Sequence, residues 1–195
     1  MYILFEGIDR VGKSTQIERV STFFDEVIVT KEPGGTKLGQ QIRSLILHEN
    51  PPSSLAELFL FLADRAEHFA KVIIPNRNKL ILSDRGYISG MAYALSKNIL
   101  DEKKLFELNH IAMQGEYPDK IILFEISEEE LLRRIDRFTK DNIEQRGVAY
   151  LLQVQKIMKK LVISSKIPYL LINASDEMDI ITKTIVSFIK DSNGN

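Results

Sequence analysis

The chain has 195 residues, 44% hydrophobic and 27% charged, and its 26 basic and 27 acidic residues leave a formal net charge of −1. That balance is a globular one, with no bulk positive field for nucleic acid or an anionic membrane. There is no cysteine, which excludes disulfides, thiolate nucleophiles and zinc–thiolate sites and fits a reducing compartment such as the cytoplasm. No basic stretch precedes the first apolar run, so no signal peptide is expected, and no run nears the roughly 18 apolar residues of a membrane span.

That first run, Tyr2–Phe5, reads as a buried strand leading into "FEGIDRVGKSTQ", residues 5–16. Gly7, Gly12, Lys13 and Ser14 occupy the fixed positions of G-x-x-x-x-G-K-[ST], a loop that turns its backbone N–H groups onto phosphate oxygens. The helical spacing Ile17, Val20, Phe24 follows it. The N–H groups of Ile8, Asp9, Arg10, Val11, Gly12, Lys13 and Ser14 are expected to point at the phosphates, aided by the helix dipole. Lys13 should reach the β- and γ-phosphates, and Thr15 should support the α-phosphate end. The Ser14 hydroxyl should touch Mg²⁺, with Asp84 as the second metal-side residue. Arg10 stands out as a long cation within the cradle. Either it reaches the phosphates, or it turns to solvent and Arg137 or Arg146 supplies the charge.

Further along, Val27–Val29 reads as a strand that ends in "KEPGGT". Residues 55–72 are apolar on more than one helical face, which suits either a helix buried between sheet and pocket or one that also packs on a second subunit. Within "FLADRAEHF" (61–69), Arg65 is either an anion-binding residue or a surface partner of Asp64 or Glu67, and Phe61 is by itself an ordinary core residue. The strand Leu80–Leu82 ends in Asp84 and Arg85; Arg85, with Arg65, suits bidentate capture of a second phosphate, and a structural Asp84–Arg85 ion pair is the alternative. Ile121–Ile126 and Tyr169–Ile172 complete five strands. Ser127 and Glu130 have capping-box spacing. Leu151, Val154 and Met158 mark one helix, and Ile181, Ile185 and Phe188 another. The charged stretch 136–147, "DRFTKDNIEQRG", is a solvated helix end or a flap over a charged ligand.

Strands alternating with helices imply an α/β chain: a single domain over 1–195 with a five-stranded parallel sheet and helices on both faces, in the three-layer P-loop NTPase manner. Ligands then bind beyond the C-terminal strand ends. A GTPase would also carry D-x-x-G and N-K-x-D, which "SDRG" and "NRNKL" do not match. A nucleotide-hydrolysing switch and a kinase for some nucleoside monophosphate both remain open on these residues.

"EGIDRVGKSTQ", "EPGGT", "FLADR" and "DRGYISGMAY" occur together in an order and spacing that resemble the thymidylate kinase family, most specifically over residues 1 to about 95. "PDKIILFEIS", "LLRRIDR" and "INASDE" continue the likeness more weakly. The resemblance implies transfer of the γ-phosphoryl group of Mg-ATP to dTMP by a homodimer. It implies Asp9 at the sugar 3′-hydroxyl, Glu32 near the acceptor phosphate, Phe61 on thymine, Arg65 and Arg85 on base and phosphate, and Tyr93 beneath the deoxyribose. Arg134 is implied over adenine, bordered by Ala174 and Ser175. Arg10, Lys13 and Arg85 are then the expected catalytic residues. Lys31, Gly86, Gly90 and Asn142 depart from common family residues; Asn142 replaces a flap arginine, which puts this chain with the loop-arginine kind.

Overall fold

The computed structural model describes residues 1–47, 53–135 and 147–191. Five strands, β1 (Tyr2–Glu6), β2 (Val27–Lys31), β3 (Leu80–Asp84), β4 (Lys120–Glu125) and β5 (Tyr169–Asn173), form one parallel sheet in the order β2-β3-β1-β4-β5. The all-apolar start of β1 follows from that order. As the central strand it is covered on both faces and every residue is buried, whereas the edge strands β2 and β5 are partly exposed.

Eight α-helices surround the sheet: α1 (Lys13–Ser21), α2 (Lys37–Leu47), α3 (Ser54–His68), α4 (Tyr87–Ser96), α5 (Glu102–Ala112), α6 (Glu128–Ile135), α7 (Val148–Ser164) and α8 (Met178–Lys190), counted among the described residues. α1 packs on β1, β2 and β3 and against α8, while α7 packs on β4 and against α4. Ile17 and Val20 are buried as their spacing requires, but α1 ends at Ser21 and Phe24 packs from the turn beyond it. Leu151, Val154, Met158, Ile181 and Ile185 all enter the core, and Phe188 is half-buried against it.

The structure also refines the readings of the Ser127 cap and of α3. Ser127 Oγ does accept from the Glu130 N–H (3.3 Å), but the Glu130 carboxylate turns to Arg133 and Arg134, so the capping box is only half formed. In α3, Leu58 and Leu62 face inward while Leu55 and Phe59 stay exposed, so burial between sheet and pocket does not account for the whole helix.

Candidate active site

The C-terminal edge of the sheet opens at its centre, where β1 runs into the loop before α1. Gly7 takes φ +143°, and a Cβ there would sit 2.8 Å from the Phe124 carbonyl oxygen, so only glycine lets the loop pass β4 this closely. Ile8 and Val11 bury their side chains in the core, anchoring the loop from beneath. Lys13 opens α1, and its Nζ donates to the carbonyls of Gly7 (3.0 Å) and Ile8 (2.8 Å). Burial first, and then the neighbouring Arg85 charge, pull its pKa down to about 8. Lys13 thus lies folded onto its own loop, within the cavity that Arg10, Gly12, Ser14, Thr15 and Asp84 also line.

Ser14 Oγ donates to Asp84 Oδ2 at 2.6 Å. The other carboxylate oxygen, Asp84 Oδ1, is buried with no hydrogen-bond partner among the described residues. A hydroxyl beside an orphaned carboxylate oxygen fits a hard divalent cation. Among the described residues no cluster of three or more His, Cys, Asp or Glu could hold a metal. Mg²⁺ needs none, since it keeps waters and phosphate oxygens and takes only one or two protein ligands.

Arg10 adopts a left-handed φ of 66°. Its carbonyl accepts from Arg134 Nη1 (2.8 Å), while Arg134 Nη2 donates to the Ala174 carbonyl (2.7 Å) and Nε to Glu130 Oε1 (2.6 Å). Arg134 therefore ties the phosphate loop to the 174–175 turn, where Ser175 N–H donates to Asn173 Oδ1.

A second cavity adjoins the first, and Asp9, Glu32, Arg43 and Arg85 line both. Its remaining wall includes Phe61, Arg65, Gly90 and Tyr93. Phe61 faces this space and is not part of the buried core. Arg85 joins the walls: it donates to Asp9 Oδ1 (2.5 Å), the Gly7 carbonyl (2.9 Å) and Ser89 Oγ (3.1 Å). Burial works against its charge, but Asp9, then Tyr93, Asp84 and Glu6, hold its pKa above the ordinary arginine value. Burial likewise works against Asp9, yet Arg85 and Lys13 keep its carboxyl below the usual range. Glu6, behind them, is fully buried, accepts from Ser89 N–H and Oγ–H, and is pushed up by burial.

Arg65 is not a surface partner of Asp64 or Glu67. It is buried, with Nε and Nη2 both 2.8 Å from Glu32 Oε2 and Nη1 2.6 Å from Asn109 Oδ1. Gly90 makes room for it, because a Cβ there would lie 3.1 Å from Arg65 Nη1. Burial opposes the Glu32 charge, but Arg65 and His68 hold its pKa below the usual carboxylate value.

The sequence-predicted residues thus converge on the two cavities and the loop beneath them, with Arg134 joined to the loop through the Arg10 carbonyl and to the buried Ala174 through its carbonyl. Arg137, Arg146 and Asn142 lie outside the described residues. Arg43, Ser89, Asn109 and His68 were missed. Arg43, the one cation of "QQIRSLIL", had a visible signal; the others sit on helix faces that only the fold brings together.

A family model described as thymidylate kinase matches residues 5–185. The chain is 53% identical over 192 residues to the thymidylate kinase of Campylobacter concisus (strain 13826), covering 97% of this chain and 98% of that one. It is 47% identical over 190 residues to that of Sulfurovum sp. (strain NBC37-1), covering 97% and 100%. The crystal structure of thymidylate kinase from Ehrlichia chaffeensis superposes with a TM-score of 0.78 at 26% identity, covering 97% of this chain and 98% of that one.

Proposed function

We propose, from the premise that this chain belongs to the thymidylate kinase family, that the cavity over the phosphate loop receives ATP and the adjoining cavity receives dTMP. The chain phosphorylates dTMP to dTDP with ATP as donor. The single observation that carries the division of roles is the shared wall: Asp9 and Arg85 line both cavities and are bonded to each other at 2.5 Å. A phosphoryl group that passes between two nucleotides must cross such a wall.

Little covalent work falls to the protein, because the acceptor phosphate is already anionic; alignment and positive charge do the rest. The backbone from Gly7 to Thr15 cradles the donor phosphates. Lys13 swings from the Gly7 and Ile8 carbonyls to the β- and γ-oxygens, a short move because those carbonyls lie in the same loop. Ser14 and Asp84 would hold Mg²⁺, which would supply positive charge to the donor phosphates. Arg10 supplies a planar cation to the group in flight. Arg134 borders the adenine with Ala174 and Ser175. On the acceptor side Arg85 and Arg65 hold the phosphate and the base, Asp9 meets the 3′-hydroxyl, Phe61 stacks on thymine, and Tyr93 crowds a 2′-hydroxyl. Glu32 acts behind them, since both its oxygens are already engaged by Arg65 and His68. The active unit is a single-domain homodimer acting in the cytoplasm; the flap expected over 136–147 lies, apart from Gly147, outside the described residues.

The test is an acceptor panel with Mg-ATP. dTMP should give the highest kcat/KM, with UMP well below it on steric grounds and AMP and GMP lower still. Equal kcat/KM for dTMP and UMP would remove Tyr93 from its role.

A further inference from the structure

We infer that His68, held by Thr30, is a positioning residue that sets the acceptor-side arginine Arg65 through Glu32. Both Arg65 bonds to Glu32 fall on one oxygen, Oε2. A carboxylate gripped only there can pivot about that point and carry the guanidinium with it. The other oxygen, Oε1, is pinned by His68 Nδ1 at 2.9 Å. Because a carboxylate accepts only, Nδ1 carries the proton in this contact. The ring is fixed from its far side, where Nε2 lies 2.7 Å from Thr30 Oγ1. Thr30, His68, Glu32, Arg65 and Asn109 form one chain of contacts that runs from β2 through α3 to α5.

The "EPGG" turn is shaped around this ring. A Cβ on Gly35 would lie 2.7 Å from His68 Cδ2 and 2.8 Å from Nε2, so the second glycine of the motif is the space that the imidazole occupies. One residue earlier, Gly34 N–H donates to Asp64 Oδ1 (2.9 Å) on the same face of α3. His68 is fully buried and does not line either cavity. It acts on substrate only through Glu32 and Arg65, and the inference therefore rests on Arg65 facing dTMP.

The measurement is steady-state kinetics with dTMP and ATP varied separately, alongside thermal melts, for His68→Leu, His68→Asn, His68→Gln, Thr30→Val and Arg65→Lys. Losing a hydrogen bond to a buried charge is worth about tenfold or more in an equilibrium constant. His68→Leu should therefore raise KM for dTMP roughly tenfold, with KM for ATP within about twofold. His68→Asn can place an N–H where Nδ1 was and should recover most of the loss. His68→Gln reaches toward Thr30 instead and should not. Thr30→Val should shift KM for dTMP in the same direction by less. A folded His68→Leu with unchanged KM for dTMP, or an Asn variant as impaired as Leu, overturns the inference. If His68→Leu does not fold, Thr30→Val decides: a selective rise supports the inference and no change overturns it. Arg65→Lys separates the two levels. If it leaves KM for dTMP unchanged, the acceptor assignment itself fails; if it raises KM while the His68 variants do not, only the His68 inference fails.

Discussion

Arg10 is a non-glycine residue held at φ 66° in the loop that faces the donor phosphates. Such a conformation costs an arginine on the order of 1 kcal/mol, and strain of this kind persists where the surroundings over-determine it and function uses it. Here Arg134 clamps the Arg10 carbonyl, and the buried Ile8 and Val11 anchor the loop on either side. The backbone sets where this side chain leaves the loop, at the wall of the donor cavity, and a cation offered from there acts on charge that moves onto the transferring group. Its loss should therefore lower kcat more than it raises either KM. Arginine fingers are worth about 10³ or more in rate, and the low end or below is expected because Lys13 remains. Arg10→Ala should slow single-turnover dTDP formation accordingly, and Arg10→Lys should restore little, because an ammonium cannot bridge two phosphates as a planar fork does. Arg137→Ala and Arg146→Ala are the contrasting variants. Near wild-type turnover by Arg10→Ala with collapse of either of the others would move the cation out of the loop.

At the scale of elements, α3 does more than its apolar pattern announces. One face carries Phe61, Asp64, Arg65 and His68, spaced so that all reach the β2 end or the cavity. Asp64 is the costly member: it is buried, Oδ1 accepts from Gly34 N–H, and Oδ2 has no partner among the described residues. Burial, and then the Glu32 charge, raise its pKa to about 6. An unfolded aspartate titrates near 4. Between about pH 4 and pH 6 the native chain therefore holds a proton that the unfolded chain has released, so stability falls as pH rises through that window and is level above it. The loss is roughly 3 kcal/mol, a figure good only to order of magnitude. Asp64→Asn keeps the Gly34 contact and cannot ionise, and the contribution from Glu6 is common to both proteins. Urea melts should show the variant gaining on wild type by that amount between about pH 4 and pH 7. A difference that does not change with pH would show that Asp64 is not the titrating group. This face also marks the limit of what the sequence discloses. The phosphate loop is legible because its chemistry is contiguous, and the strands are legible because burial on both faces makes them continuous apolar runs. His68 and Asn109 are single polar residues within amphipathic helices, and their partners lie 36 and 44 positions away. Nothing local separates them from solvated side chains. Phe24 and Glu130 erred the other way: the periodicity and the capping spacing were real, but the chain turned early and two arginines outbid the cap.

For the whole molecule, the unanswered element is the other face of α3. Leu55 is 47% exposed and Phe59 is 52% exposed, one helical turn apart. Single exposed apolar residues are ordinary, but an aligned pair on a helix whose opposite side builds a substrate pocket is a candidate contact between subunits. A two-fold axis would set the pair against its own copy, an isologous interface. Such packing would also brace α3 from behind, so that Arg65 and Phe61 are held between the sheet and the second subunit. Wild type should therefore scatter light as twice the 22.3 kDa chain mass at micromolar concentration. Phe59→Arg places a charge at the middle of that contact, where two copies would face each other across the axis. It should run as a monomer with its circular dichroism unchanged, because Phe59 contributes little to the core of its own subunit. A wild-type mass of one chain rules out the dimer, and a dimeric Phe59→Arg moves the interface to another surface.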